Sequence, residues 1–311
     1  MSSSSTLTNI LLEDVGDLVS RGWGIEATAV RRRTGGLDPN ATTFDLTAGD
    51  GGRYFVKLRS VPASVAVPQY LHRFGIAAVV APIGEPFTTD AGIQVLLYPF
   101  VDGTDCWATG FTDEQYEAYG RILAAVHAAG APSGVPAETF DPPSIGLLRS
   151  LDERIAADSE LAELWRAHDR PIRSLLERAE ALRAAAGGTE RVLCHADIHT
   201  GNVLAGPGGE LSIVDWDAPV LAPRERDLMF LLAGPWGEQP VTEHRKALFH
   251  KGYGRYEVHR PTLDYYHVER IVDDLGQFAL SALDPAADEE TRRTAVYWLR
   301  RNLGETVAHP A

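Results

Sequence analysis

Apolar positions recur at every second place through much of the first hundred residues, and at every third or fourth place through most of the remainder. Residues 7–20 (LTNILLEDVGDLVS) form an exception near the start: their spacing is helical and predicts an amphipathic helix. GIEATAVRRR then alternates loosely, and GGLDPN is turn chemistry. ATTFDLTA and RYFVKLR alternate closely, with GDGG between them as a hairpin turn. AVPQYLHRFG predicts a short helix with Pro68 near its start, where the missing N–H is tolerated. AAVVAPI and IQVLLYPFV predict two further strands joined through EPFTTDAG. Residues 1–100 therefore read as a small, mostly β lobe of about five strands.

After Val101 the period lengthens. TDEQYEAYGRILAAVHAA predicts an amphipathic helix opened by Thr112 ahead of Asp113 and Glu114. Residues 131–144 are rich in Pro, Gly and Ser and read as a loop. Helices are expected over 146–156, 159–168 and 171–186, the last ending at Gly187-Gly188. RVLCH, NVLAG and LSIVDW read as strands, with PGGE as the turn between the last two, and from Arg226 onward the pattern is mainly helical. The expected class is α+β in two lobes: a small β-rich lobe at 1–100 and a larger helical lobe at 101–311 with a hairpin inserted in it.

Composition narrows the function. With 44% hydrophobic and 23% charged residues in 311, the chain has an ordinary globular balance. Its net charge of −14 argues against nucleic acid, which needs a basic face, and is compatible with a cationic small molecule. Cys106 and Cys194 are the two cysteines, far apart, which disfavours a disulfide framework or a structural zinc site. No signal-peptide pattern and no apolar run long enough for a membrane span is seen, so a cytoplasmic protein with no membrane partner is the expectation. Nothing fixes the oligomeric state, and a monomer is the default.

The chemistry concentrates in HADIHTGNVL, His195 to Leu204. Asn202 opens one strand of the expected hairpin and Asp215 closes the other, so an amide oxygen and a carboxylate converge, a hard-oxygen pair suited to Mg²⁺. Asp197, on the adjoining loop, can take a proton from an incoming hydroxyl. A base or orienting group beside metal ligands is what phosphoryl transfer asks of a protein. His195 and His199 also invite a zinc reading, but Gly201 and the flanking strands argue for a loop, and no Cys or Glu completes a tetrahedral set. The two histidines are expected instead to pack and brace the loop. Cys194 and Trp216 read as core. Asp217 reads equally well as an exposed hairpin-exit acid and as a second acid near the metal or the acceptor.

H-x-D-x-x-x-x-N followed by a strand and an acid resembles the eukaryotic-like kinases. HADIHTGNVL with IVDWD resembles the aminoglycoside phosphotransferase and choline kinase family. VLCHADIHTGNVLAG, IVDWDAPVLAPRERDLMFL and YYHVERIVDD are most similar to its spectinomycin-phosphotransferase branch. The resemblance implies a two-lobed protein-kinase-like fold, with nucleotide bound by 1–100 and catalysis and acceptor binding in 101–311. It implies ATP or GTP and Mg²⁺ as cofactors, Asp197 as the base, and Asn202 and Asp215 as metal ligands. Lys57 would bind the nucleotide phosphates, and Thr42 and Thr43 would lie in a loop over them. Tyr98, Pro99 and Phe100 would present backbone groups to the base, Leu204 and Val214 would pack beneath it, and Asp227 would brace the catalytic loop. The acceptor would be a hydroxyl of a small cationic antibiotic, spectinomycin or a related aminocyclitol or aminoglycoside.

Glu269 and Asp273 share a helix face at i, i+4 spacing. They read as a solvated face or, with Asp217, as an acidic pocket wall for such a cation. One departure stands out. Kinases pair the strand lysine with a Glu on the following helix, yet VPASVAVPQYLHRFG contains no acid, and Gln69 is the nearest polar substitute. Three rival readings follow: a metabolic kinase for choline-like or amino-sugar hydroxyls, a catalytically weak nucleotide sensor, and a metallohydrolase using the His-rich loop.

Overall fold

The alternating stretches pair into one antiparallel sheet. The computed structural model describes residues 12–33, 38, 40–156, 159–233, 241–285 and 287–304. Strands β1 (Ala27–Arg32), β2 (Ala41–Ala48), β3 (Arg53–Arg59), β4 (Phe87–Thr88) and β5 (Gln94–Pro99) lie in the order β1-β2-β3-β5-β4. Helix α1 (Leu12–Trp23) covers one face, and its Val15, Leu18 and Val19 join Phe44, Leu46, Val56, Leu58, Val95 and Leu97 in one core. The helix expected over 7–20 thus lies at 12–23, and the part of that expectation before Leu12 falls outside the described residues. Helix α2 (Ala66–Arg73) carries Pro68 in its first turn, as the sequence suggests.

AAVVAPI departs from expectation. It contributes no strand to the sheet, because its two ends bond to different partners. Ile83 donates its N–H to Leu97 of β5 (2.7 Å), whereas Val80 donates to Ile213 (3.0 Å) and Ile213 donates back to Ala78 (2.7 Å). Pro82, which has no N–H, lies between these two attachments. The segment ties the sheet to the hairpin that follows HADIHTGNVL.

Two compact units result. The first comprises residues 1–137 and 191–257, and the second comprises 138–190 and 258–311. The texture changes from strand to helix near residue 100, but the boundary expected there falls inside the first unit, since the hairpin after His195 groups with the sheet. Besides the sheet, the first unit holds β6 (Thr104–Asp105), helix α3 (Asp113–Ala128), β7 (Arg191–Cys194), β8 (Val203–Ala205), β9 (Leu211–Ile213), β10 (Val220–Pro223), helix α8 (Glu225–Leu232) and helix α9 (Glu243–Tyr253). The small sheets run β6-β8-β9 and β10-β7. Thr112 and Gln115 close a reciprocal capping box on α3, which satisfies two otherwise unpaired N–H groups. Gly120 of α3 faces the Phe249 carbonyl, and Gly252 of α9 faces the Glu117 carbonyl, so the two helices pack at a distance that only glycine permits.

The second unit is helical. Helices α4 (Pro143–Ser150), α5 (Asp152–Ala156), α6 (Ser159–Ala167), α7 (Asp169–Arg183), α10 (Arg260–Leu283) and α11 (Glu289–Asn302) enclose a core that includes Leu148, Leu161, Val272, Leu275 and Leu299. Among the described residues, no helix is long and apolar enough to cross a membrane.

Candidate active site

Strand β7 ends at Cys194, and the chain then turns through Ala196, whose φ of 72° is left-handed. One side chain holds this turn. Asp227, fully buried on α8, accepts the N–H of His195 at 2.9 Å with one oxygen and that of Ala196 at 2.8 Å with the other. His127 Nε2 lies 3.1 Å from the first of these oxygens, and His127 Nδ1 lies 2.7 Å from the Tyr253 hydroxyl. Burial opposes the charge on Asp227, but the His127 contact and the backbone N–H groups outweigh it and hold the carboxyl below its ordinary value. A buried carboxylate that satisfies two loop amides fixes the direction in which the next residue, Asp197, leaves the loop.

The two histidines are braces. His195 Nε2 lies 2.9 Å from the Val214 carbonyl, and its ring packs 4.5 Å from that of buried Trp216. His199 accepts the Gly201 N–H at Nδ1 (3.0 Å) and caps the 3₁₀ turn Thr200–Asn202, while the Trp107 ring meets it edge-on. Neither belongs to a metal-ligating group among the described residues. The one such group there is His127, Cys194 and Asp227, which is the buried brace itself.

Asn202 and Asp215 converge through the register of the hairpin. Val203 pairs with Ile213, and Val214 donates its N–H to the Asn202 carbonyl at 3.0 Å. Asp215 is not the last residue of a strand, as expected. It lies beyond β9 with φ 64°, a left-handed turn that swings its carboxylate out of the strand line. Asn202 donates its Nδ2 to the Asp197 carbonyl (2.8 Å), which leaves its amide oxygen as the outward acceptor. The same Nδ2 lies 3.3 Å from Asp197 Oδ2, and the Val214–Asn202 backbone bond brings Asp215, the next residue, into the same neighbourhood. An amide oxygen and a partly exposed carboxylate are hard-oxygen donors that fit Mg²⁺, an ion that keeps several waters and phosphate oxygens.

Lys57, on β3 between Thr43 of β2 and Leu96 of β5, is buried. Its ammonium lies 2.8 Å from Asp215 Oδ1 and 2.6 Å from Asp217 Oδ2. Burial works against the charge, but these two carboxylates raise its pKa above the ordinary lysine value. Arg59, two places along the same strand face, donates to Asp217 Oδ2 as well, and also to Asp38 Oδ2 (3.1 Å). Burial and the neighbouring Asp215 push the Asp217 carboxyl up, whereas Lys57 holds the Asp215 carboxyl down against its partial desolvation. Gln69 is not the partner of Lys57; it donates to the Gly84 carbonyl at 2.9 Å.

The remaining expected residues separate into several places. Thr42 and Thr43 lie in strand β2, paired with Leu58 and Lys57, and not in a covering loop. The loop before them falls largely outside the described residues. The pattern ATTFDLTA alternates from its first residue, and the sheet register follows that alternation. Tyr98 and Pro99 end β5, and Phe100 donates its N–H to the Arg53 carbonyl (3.2 Å), continuing the sheet ladder. The Arg53 guanidinium stacks 3.7 Å from the centre of the Phe100 ring. Leu204 of β8 pairs with Asp105 and Ser212, and Val214 follows β9 directly; both are half-buried. Glu269 and Asp273 belong to the second unit. Glu269 is buried and accepts the Ser144 hydroxyl at 3.3 Å, and Asp273 accepts from Gln277. Sequence reasoning missed Arg59 and His127. Arg59 had a signal, a second cation two places after Lys57 on one strand face, whereas His127 had none beyond its position on α3.

These arrangements have counterparts in known proteins. The model of the phosphotransferase enzyme family (APH) matches residues 29–266. A comparison with curated proteins found no match. Among solved structures, the chain is similar to spectinomycin phosphotransferase APH(9)-Ia in complex with ADP and spectinomycin, at 26% identity and a TM-score of 0.80, covering 94% of each chain. The AMP-bound complex of the same enzyme matches at 25% identity and a TM-score of 0.78, covering 95% of this chain and 96% of that one. An ethanolamine kinase from Plasmodium vivax, at 13% identity and a TM-score of 0.57 over 88% of this chain and 82% of that one, shares the fold. The chain belongs to the phosphotransferase enzyme family and has its kinase-like α+β fold.

Proposed function

We propose that this protein transfers the γ-phosphoryl group of ATP or GTP to a hydroxyl of a small cationic antibiotic, spectinomycin or a related aminocyclitol or aminoglycoside. The observation that carries the reading is the single neighbourhood of Asp197, Asn202 and Asp215 beside a buried, charged Lys57, in a chain similar over 94% of its length to a spectinomycin phosphotransferase. Asp197, whose loop is fixed by Asp227, orients the acceptor hydroxyl and takes its proton. Lys57 steadies the nucleotide phosphates. Asn202 and Asp215 hold Mg²⁺, which when bound neutralises charge on the phosphate oxygens. Tyr98, Phe100, Leu204 and Val214 border the base, and Thr43, beside Lys57 in the sheet, and Thr42 lie toward the phosphates. Glu269 and Asp273, on α10 of the second unit, are the acids proposed to favour a cationic acceptor. A cytoplasmic setting, where nucleoside triphosphates abound, completes the reading.

A weak nucleotide sensor is supported by the missing helix acid alone, and the two acidic partners of Lys57, Asp215 and Asp217, remove that support. The testing experiment is nucleoside-diphosphate release with Mg²⁺ and ATP or GTP against spectinomycin, several aminoglycosides, choline, ethanolamine, amino sugars and no acceptor. Rapid release with spectinomycin or an aminoglycoside is the expected result. Release only with choline, ethanolamine or an amino sugar would keep the chemistry and replace the acceptor with a metabolic one. No release with any acceptor would overturn the reading.

A further inference from the structure

A buried lysine on a long flexible stem needs a fixed anion to hold its ammonium in one place. Helix α2, which follows the strand of Lys57, carries no acid, and Gln69 is engaged with Gly84. Two carboxylates reach Lys57, and their surroundings differ. The Asp215 side chain is 42% exposed, and the proposed function assigns it to the metal. The Asp217 side chain is 22% exposed and lies nearer to Lys57, at 2.6 Å. Asp217 is also held by Arg59, whose own side chain is only 10% exposed. Arg59 is pinned in turn, its Nε donating to the Val61 carbonyl (2.9 Å) and its Nη1 to Asp38 (3.1 Å). Asp217 is therefore fixed through Arg59, and it reaches Lys57 independently of Asp215.

We infer that Asp217 is the positioning residue for Lys57: it supplies, from the exit of the catalytic hairpin, the anion that helix α2 lacks. It leaves Asp215 available to a cation while Lys57 stays aimed at the nucleotide phosphates. This rests on the phosphotransfer reading for what Lys57 does, but not for the pairing itself. This is a third role for Asp217, given by neither of its sequence readings.

Two measurements test the inference together. Calorimetric titration with AMP-PNP and Mg²⁺ is applied to the wild type, Asp217→Asn, Lys57→Met and the double variant. Each single change is expected to weaken binding about tenfold or more, and the double to be no weaker than the weaker single, since both remove one interaction. Losses that multiply in the double would overturn the inference, as would unchanged nucleotide affinity in Asp217→Asn with a raised acceptor KM. Asp217→Glu keeps the charge and is expected to recover most of the affinity; recovery no better than Asp217→Asn would count against it. Thermal melting without ligand reads the pairing alone. The double is expected to melt at or above Asp217→Asn, because removing Lys57 also removes a buried ammonium left with the more exposed Asp215 alone. A double that melts clearly below both singles would refute the pairing. If the phosphotransfer reading fails instead, the wild type turns over no acceptor while the melting comparison still decides this inference.

Discussion

Lys57 and Asp215 stand 158 positions apart in the chain, and 2.8 Å separates the ammonium from the carboxylate. The sheet that carries one, through its strand β5, and the hairpin that carries the other are joined through residues 78–83, which bond to both. A mobile sheet and hairpin would let this distance vary, and the double attachment limits that.

Asp215→Ala is expected to weaken Mg²⁺-dependent AMP-PNP binding by at least about tenfold, the scale of a lost charge-assisted contact. Binding measured in excess chelator should change far less, because Lys57 keeps Asp217. Calorimetry with and without Mg²⁺ separates the two. Equal losses in both conditions would remove Asp215 from the metal.

The Asp197 carboxylate lies beside Asn202 Nδ2 and His199 Nε2, and its proposed partner is the acceptor hydroxyl, so its loss should leave the nucleotide in place. In Asp197→Ala, kcat is expected to fall by about 10²–10⁴, the usual contribution of a general base, with AMP-PNP affinity within about twofold of wild type. Retained turnover would move the base elsewhere. Single-turnover phosphoryl transfer to the best acceptor is the measurement.

Much of this was legible in the sequence, and the exceptions share a cause. Period-two stretches became β2, β3 and β5, and the turn GDGG became the hairpin, because one sheet face is buried and register follows alternation. HADIHTGN and the downstream acids gave the site its members, since those residues lie within one hairpin. What the sequence could not display was pairing between distant segments. AAVVAPI alternates no worse than a strand but is shared between β5 and Ile213. Val220–Pro223, not among the expected strands, pairs with β7. The anion for Lys57 was sought on the next helix because that is the nearest place in sequence, and it lies 160 positions away. The same reason hides His127, whose role exists only because Asp227 and Tyr253 meet it.

The α3–α9 contact predicts a stability effect remote from the chemistry. A methyl group at Gly252 would strike the Glu117 carbonyl, a backbone atom that cannot rotate away. Gly252→Ala is therefore expected to destabilise by about 1–3 kcal/mol despite the better helix propensity of alanine. A lowered melting temperature would be seen, with acceptor KM unchanged in the folded enzyme. A variant at least as stable as wild type would show that the helices separate without cost.

Asp227 should dominate the acid side of the stability curve. Its folded pKa lies below the ordinary 3.8, so its contribution is complete above that value and is lost as pH falls through the folded one. In Asp227→Asn the charge is gone at every pH, and His127 and two loop amides face a neutral group. At neutral pH the variant is expected to lose about 3 kcal/mol, the order seen when one member of a buried pair is removed. As pH falls below 3.8 the unfolded chain takes up a proton that the folded carboxylate still excludes, so the wild-type advantage shrinks and is gone below the lowered folded value. Urea midpoints from pH 7 down to pH 3 measure this directly. A difference that stays constant across the range would mean that Asp227 acts through shape alone, and that the charge on the loop brace contributes nothing.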